Sequence, residues 1–334
     1  MLTKTLKIAF FVLGLSVLTL TGAVDRDEPV YDGKALSYWI RDESHGSINL
    51  SRPDLGVDGV KAVRTAGTNA IPFLLEWLGS PRAVLAFGVL GSSARSAVPE
   101  LLRLATNETL LASAQGSFQT NAITALWQIG SEAVPALSII ATNHAAKSAR
   151  YMALSAVALM GTNATAAQPA LLESLKDPDE NIVSTALLGL RLMHSNDPAV
   201  FVAAARFLDE PQPRLRRDAL EVLAGFGDQA LPSILRALND ADDAVSATSL
   251  ALLVETAPQA LTNATVLAIA AKEMRLTGSR RKWAAQLLRA AGKQAEGATP
   301  DLLVRQPGGW DLIFQEATNA LRRLAPQLLD HSSP

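Results

Sequence analysis

One phrase recurs along this chain and constrains it more than any other feature: a Gly, a few small or polar residues, then Pro and an apolar run. It stands as Gly67-Thr-Asn-Ala-Ile-Pro72, as Gly130-Ser-Glu-Ala-Val-Pro135 and as Gly227-Asp-Gln-Ala-Leu-Pro232. Three copies carry a longer loop, Gly91 to Pro99, Gly161 to Pro169 and Gly292 to Pro300, and two degenerate copies have His194 and Ala257 in the Gly place. The eight units are mostly 30–39 residues apart, with one gap of 24. A period of this size means stacked supersecondary units, each burying its apolar face against its neighbours. Gly supplies the left-handed conformation that closes one helix, and Pro suits the first turn of the next, where its missing N–H would have no partner anyway.

The rest of each unit reads as a second helix. Asp177-Pro-Asp-Glu, Asp209-Glu-Pro and Asn239-Asp-Ala-Asp-Asp243 are expected to end one helix and cap the next, where a carboxylate meets free N–H groups and the positive end of the helix dipole. Eight residues before the closing position stands an Ala: Ala83, Ala122, Ala153, Ala186, Ala219 and Ala284. A small residue at one fixed place lets neighbouring helices approach closely, and apolar positions around it, as in Ala219, Leu220, Val222 and Leu223, follow a helical stripe. Charged residues are 19% and aromatics 5% of the chain, a balance that favours helices.

The pattern Pro-x-Leu…Asp-x-x-x-x-Val-Arg-x-x-Ala…Gly resembles the HEAT repeat, in the subclass also found in phycobilin lyases and many bacterial proteins. The units Pro232 to Ala257 and Pro169 to His194 match best, and the resemblance covers residues 57–306. It implies an all-α, right-handed α-solenoid of about eight helix pairs, whose second helices line a concave surface. The family's basic residue on the second helix matches Arg150, Arg216 and Arg281, while other copies have Ser80, Gln119, Val183 and Ser246.

The ends differ from the repeat. In residues 1–23, Lys4 and Lys7 precede a nearly continuous apolar run, Ile8 to Leu20, and the small residues Thr21-Gly22-Ala23. That is the order of a cleaved signal peptide, with a mature start near Val24. The run is shorter than the about 20 residues a bilayer span needs, which favours cleavage over the rival reading, an inner-membrane anchor. Residues 24–56 read as a leader that caps the first repeat. In it Tyr31-Asp-Gly-Lys-Ala-Leu-Ser-Tyr-Trp39-Ile looks like the leader of some exported bacterial HEAT proteins, and Leu36, Trp39 and Ile40 suggest a short amphipathic helix. Residues 42–56 read as a loop. After Gln306-Pro-Gly-Gly309, residues 307–334 are expected to form a capping helix from about Trp310 to Leu329 and a short tail.

Catalytic signatures are sparse. The chain has no Cys, hence no thiol chemistry, and its four His (His45, His144, His194, His331) lack the paired spacing of a zinc site. His45 lies in Ser44-His-Gly-Ser47 without an identifiable orienting partner, and His194 is expected at a surface or capping position. The Asp177–Glu180 and Asp240–Asp243 clusters lack the Gly and distal Glu of a calcium loop, and capping accounts for them. Four Asn-x-Ser/Thr sequons, at Asn49, Asn107, Asn163 and Asn263, are expected by chance. A formal charge of −2, or 28 basic against 32 acidic residues without the signal segment, gives no footprint for nucleic acid. No cofactor or metal is implied. The expected function is that of a non-catalytic, periplasmic or secreted protein-binding scaffold, with a lyase-like enzyme as the alternative. The candidate partner-binding residues are Arg150, Arg214, Arg216, Arg217, Arg280, Arg281 and Lys282, a basic stripe facing an acidic protein or anionic glycan.

Overall fold

The computed structural model describes residues 27–40, 54–107, 116–256, 260–261, 263–274, 278–295 and 310–326. The signal segment, most of the 42–56 loop, His45, His331, Asn49, Ala257, Pro300 and Gln306–Gly309 lie outside them. The chain divides into two compact units, Met1–Ala94 and Arg95–Pro334. The division falls inside the stretch 57–306 that carries the repeat.

The first unit opens with a hairpin that the helical reading of the leader did not include. Strands β1 (Val30–Tyr31) and β2 (Lys34–Ala35) pair antiparallel, Val30 opposite Ala35. Asp32 and Gly33, at φ 48° and 70°, form the two-residue turn that an Asp-Gly pair favours. The amphipathic helix follows as α1 (Leu36–Ile40), burying Leu36 and Ile40 while Trp39 Nε1 donates to the Tyr31 carbonyl at 3.2 Å. It packs on α2 (Gly56–Ala66), which is followed by α3 (Ile71–Glu76) and α4 (Pro81–Leu90).

The second unit is a succession of helix pairs: α5 (Val98–Ala105) with α6 (Gly116–Ile129), α7 (Val134–Asn143) with α8 (Lys147–Met160), and α9 (Gln168–Ser174) with α10 (Glu180–Leu192). Then come α11 (Pro198–Ala205) with α12 (Pro213–Ala224), α13 (Leu231–Ala237) with α14 (Asp243–Thr256), and α15 (Ala264–Glu273) with α16 (Gly278–Ala295). Helix α17 (Trp310–Leu324) closes the unit. From α8 to α16, each second helix packs on the second helix of the next pair.

The recurring phrase does what its chemistry requires. Gly67, Gly91, Gly130, Gly161 and Gly227 all have φ between 52° and 90°, and His194 joins them at 49°. Pro72, Pro99, Pro135, Pro169 and Pro232 sit in the first turn of the helix that follows. The six fixed Ala residues are all 0% exposed. In α14 the equivalent place is taken by Ser249, also 0% exposed, whose hydroxyl donates to the Ile234 carbonyl at 2.5 Å and so is not buried unsatisfied.

Two expectations are corrected. Gly292 does not end a helix: α16 runs through it to Ala295. A methyl built on Gly292 would stand 2.6 Å from Ala320 Cβ, so this glycine permits close approach of α16 and α17. Likewise, Asp209 does not cap the next helix. It is an exposed residue paired with Arg236, and α12 follows Gln212, whose side chain makes no capping hydrogen bond, its first helical residue Pro213 having no N–H to offer. The other turns behave as expected: Asp179 accepts from the Asn181 and Ile182 amides, and Asp242 from those of Ala244 and Val245. The final helix ends at Leu324, short of Leu329, and buries Ala317, Ala320 and Leu321.

Candidate functional site

One position on the second helices, three residues before the fixed Ala, has the same role on α6, α8 and α12. Arg150 on α8 reaches Asp177 in the turn of the next pair through Nε (2.8 Å) and Nη2 (3.4 Å), while Nη1 donates to the carbonyls of His144 and Ala145 in its own turn. Arg216 on α12 repeats this with Asp240 (2.8 and 2.7 Å) and the carbonyls of Glu210 and Pro211. On α6 the residue is Gln119, a neutral version: its amide nitrogen donates to the Ala105 carbonyl at 2.6 Å and lies 2.9 Å from His144 Nε2. Each of these side chains ties its own turn to the next. Asp177 and Asp240 complete the arrangement by accepting from the amides of Asp179 and Asp242.

The electrostatics follow the geometry. Hydrogen bonds from Arg216 hold the Asp240 carboxyl below the usual range against the opposing effect of burial, and the same contact raises Arg216. Asp179 is also lowered, chiefly by Lys147 at 2.5 Å and then by the amides it caps. Val183, at this position on α10, offers no cation to the following turn, and Asp209 in that turn is paired instead with Arg236 from α13.

The seven residues expected to form a basic stripe are therefore engaged in different ways. Arg150 and Arg216 are largely buried in their ion pairs, with side chains 16% and 14% exposed. Arg214 contacts Asn181 Oδ1 at 2.9 Å, and Arg217 lies 3.4 Å from Asp218. Arg280 binds Asp243 (2.9 Å) and the buried Glu273 (2.6 Å), which together outweigh the opposing effect of its burial and raise its pKa. Arg281 occupies the tying position in the last pair and stacks over the Phe314 ring of α17, its guanidinium carbon 4.3 Å from the centroid. Lys282 is exposed.

A different surface is open. Helices α10, α12, α14 and α16 line a groove of about 640 Å³. Its walls carry Arg191, His194, Arg217, Glu221, Glu255 and Trp283 between small residues such as Ala247 and Ala251. Arg191 and Glu221 pair across adjacent helices at 3.5 Å. Of the expected binding residues, only Arg217 lines this groove. Glu221, Glu255 and Trp283 were not singled out in the sequence. Their signal was partial: Trp283 stands one residue before the fixed small position of its helix, Glu221 two after and Glu255 six after, offsets that fall on one helix face. Among the described residues, no group of three or more His, Asp or Glu is placed to hold a metal ion.

The family model described as the PBS lyase HEAT-like repeat matches residues 215–240. No curated protein matches the chain. Solved structures similar to it include YibA of Escherichia coli (14% identity, 81% of this chain and 98% of that one, TM-score 0.47). Kap121p bound to Nup53p is similar at 12% identity over 83% of this chain and 35% of that one (TM-score 0.49). So is a designed armadillo repeat protein in complex with the peptide (KR)4, at 17% identity over 75% and 98% (TM-score 0.34). At such identities the likeness concerns the fold alone. The matched residues 215–240 contain α12 from Leu215 onward, its left-handed turn, α13 and the Arg216–Asp240 pair. The family match thus spans one structural period, and residues 215–240 resemble the HEAT-like repeat.

Proposed function

We propose that this protein is a non-catalytic binding scaffold of the periplasm or cell exterior, and that the groove along α10, α12, α14 and α16 receives a segment of a protein partner. The observation that carries the reading is the groove itself. Four successive second helices contribute to one open channel, and its walls combine an aromatic ring, aliphatic surface and charge of both signs. Such a mixture suits a peptide, which offers alternating side chains and backbone polar groups. The export part of the reading rests on residues 1–23 alone.

The test is affinity capture from native envelope extract with the wild-type protein, Trp283→Ala and Arg217→Glu, each checked for helicity and melting temperature. A partner retained by the wild type and lost by both folded variants is the expected result. Equal retention by the variants would remove the groove from the proposal, and no specific capture would remove the scaffold. Substituting Arg216 would mislead, because it breaks an internal tie. For export, N-terminal sequencing of protein recovered from the periplasm or medium should begin near Val24; retention of residues 1–23 in the membrane fraction would point to an anchor.

A further inference from the structure

The helix face that lines the groove does not stop at α10. Measured from the fixed small residue of each second helix, the groove's charged side chains stand two before it (Arg217), two after (Glu221), five after (Arg191) and six after (Glu255). On α6, α8 and α10 the same four offsets also carry Tyr151 (two before), Leu188 (two after), Trp127 (five after) and Leu159 (six after). Equal offsets from one buried position put side chains on one face of a helix, and α6, α8 and α10 pack in succession. All four are between 38% and 70% exposed, and they are half of the eight large apolar side chains exposed among the described residues. Single apolar side chains scattered over a surface are ordinary; four on one face of three adjoining helices are a patch of the kind that marks a contact surface. This part of the face also lacks free charge. Helix α6 contains no charged residue. The two cations of α8, Lys147 and Arg150, are held by Asp179 and Asp177, and Glu180 of α10 accepts from Gln212. A charged side chain of a partner would be desolvated here without a counterion, whereas an apolar or aromatic one gains by burial. From Arg191 onward the same offsets carry charges of both signs, and the preference reverses.

We propose that the partner segment is bipartite: an uncharged apolar stretch lies on Trp127, Tyr151, Leu159 and Leu188, and a charged stretch continues from it into the groove along α10, α12, α14 and α16. This rests on the groove being the binding surface, and it extends that surface over α6 and α8.

The experiment is selection of a random peptide library, long enough to cross both parts of the face, on the full chain. The affinities of the best peptide and of its two halves are then measured for the wild type, for Leu159→Lys with Leu188→Lys, and for Arg217→Glu. Selected sequences should join an uncharged apolar run to a charged one. The lysine pair should weaken the whole peptide about tenfold, abolish binding of its apolar half and leave its charged half unchanged. Leu159→Met with Leu188→Met should bind as the wild type does, which separates loss of the apolar contact from loss of fold. Selected peptides without an apolar run, or binding indifferent to the lysine pair but weakened by Arg217→Glu, would overturn this inference and leave the groove as a peptide site. Binding that needs the two leucines and is indifferent to both Arg217→Glu and Trp283→Ala would overturn the groove reading, and the bipartite segment with it. A dimer in sedimentation that the lysine pair dissolves would assign the apolar face to a second copy and overturn the inference, and a library that yields no binder would overturn both readings.

Discussion

At the scale of single residues, the repeat shows how one backbone requirement and one tie are met by different side chains. His194 occupies a left-handed turn at φ 49° where five other turns have Gly67, Gly91, Gly130, Gly161 and Gly227. Left-handed backbone costs an L-residue about 1–2 kcal/mol, and Gly loses about 0.5–1 kcal/mol of that advantage through greater freedom in the unfolded chain. His194→Gly should therefore stabilise the protein by about 0.5–1 kcal/mol, seen as a higher urea midpoint; a lower midpoint would mean that the imidazole contributes contacts that outweigh the strain. The Arg216–Asp240 pair is the strongest expression of the tie. Because the folded-state pKa of Asp240 is depressed, its contribution is complete above the ordinary carboxylate value of about 3.9 and is lost as pH falls through the lower folded value. Asp240→Asn should cost about 1–3 kcal/mol at neutral pH, the scale of a charge-assisted hydrogen bond, and its deficit against the wild type should shrink below about pH 4. Denaturant titrations at pH 7 and pH 3 test this, and a deficit that is the same at both values would refute it.

At the scale of elements, the second helices are specified by their small residues. The fixed Ala sets the helix–helix distance within the array, and Gly292 does so at its last contact, between α16 and α17. Gly292→Ala sets two effects against each other. Ala gains about 1 kcal/mol of helix propensity, whereas its Cβ would stand 2.6 Å from that of Ala320, and overpacking costs about 1–3 kcal/mol. The variant should be destabilised, and adding Ala320→Gly should restore part of the loss. A more stable single variant would show that α17 yields freely. Arg281, at the tying position of its helix, instead stacks on Phe314 and so engages α17.

At the scale of the whole molecule, nearest-neighbour ties and nearest-neighbour packing supply the cohesion of the second unit, as expected of a stacked array. The groove is a product of that stacking, since no single helix pair contains it. A partner engaging α10, α12, α14 and α16 together would bind only where all four stand in register, so disruption of the Arg216–Asp240 tie is expected to weaken binding from a distance as well as stability.

The sequence by itself determined the period, the helix pairs, the left-handed turns and the buried Ala, because these depend on local backbone chemistry and on spacing within a unit. It also marked the tying position, where Arg150, Gln119 and Arg216 fall in register. The tertiary structure alone decided what those residues face. Arg216 reads as a surface cation in a line of residues, and becomes an internal pin only when Asp240, 24 positions on, is brought to it by the next turn. Gly292 reads as a loop residue because its role lies in contact with Ala320, 28 positions away. Glu255 and Trp283 come to line one groove only through stacking of separate helices, and no spacing along the chain encodes which charges will then find partners.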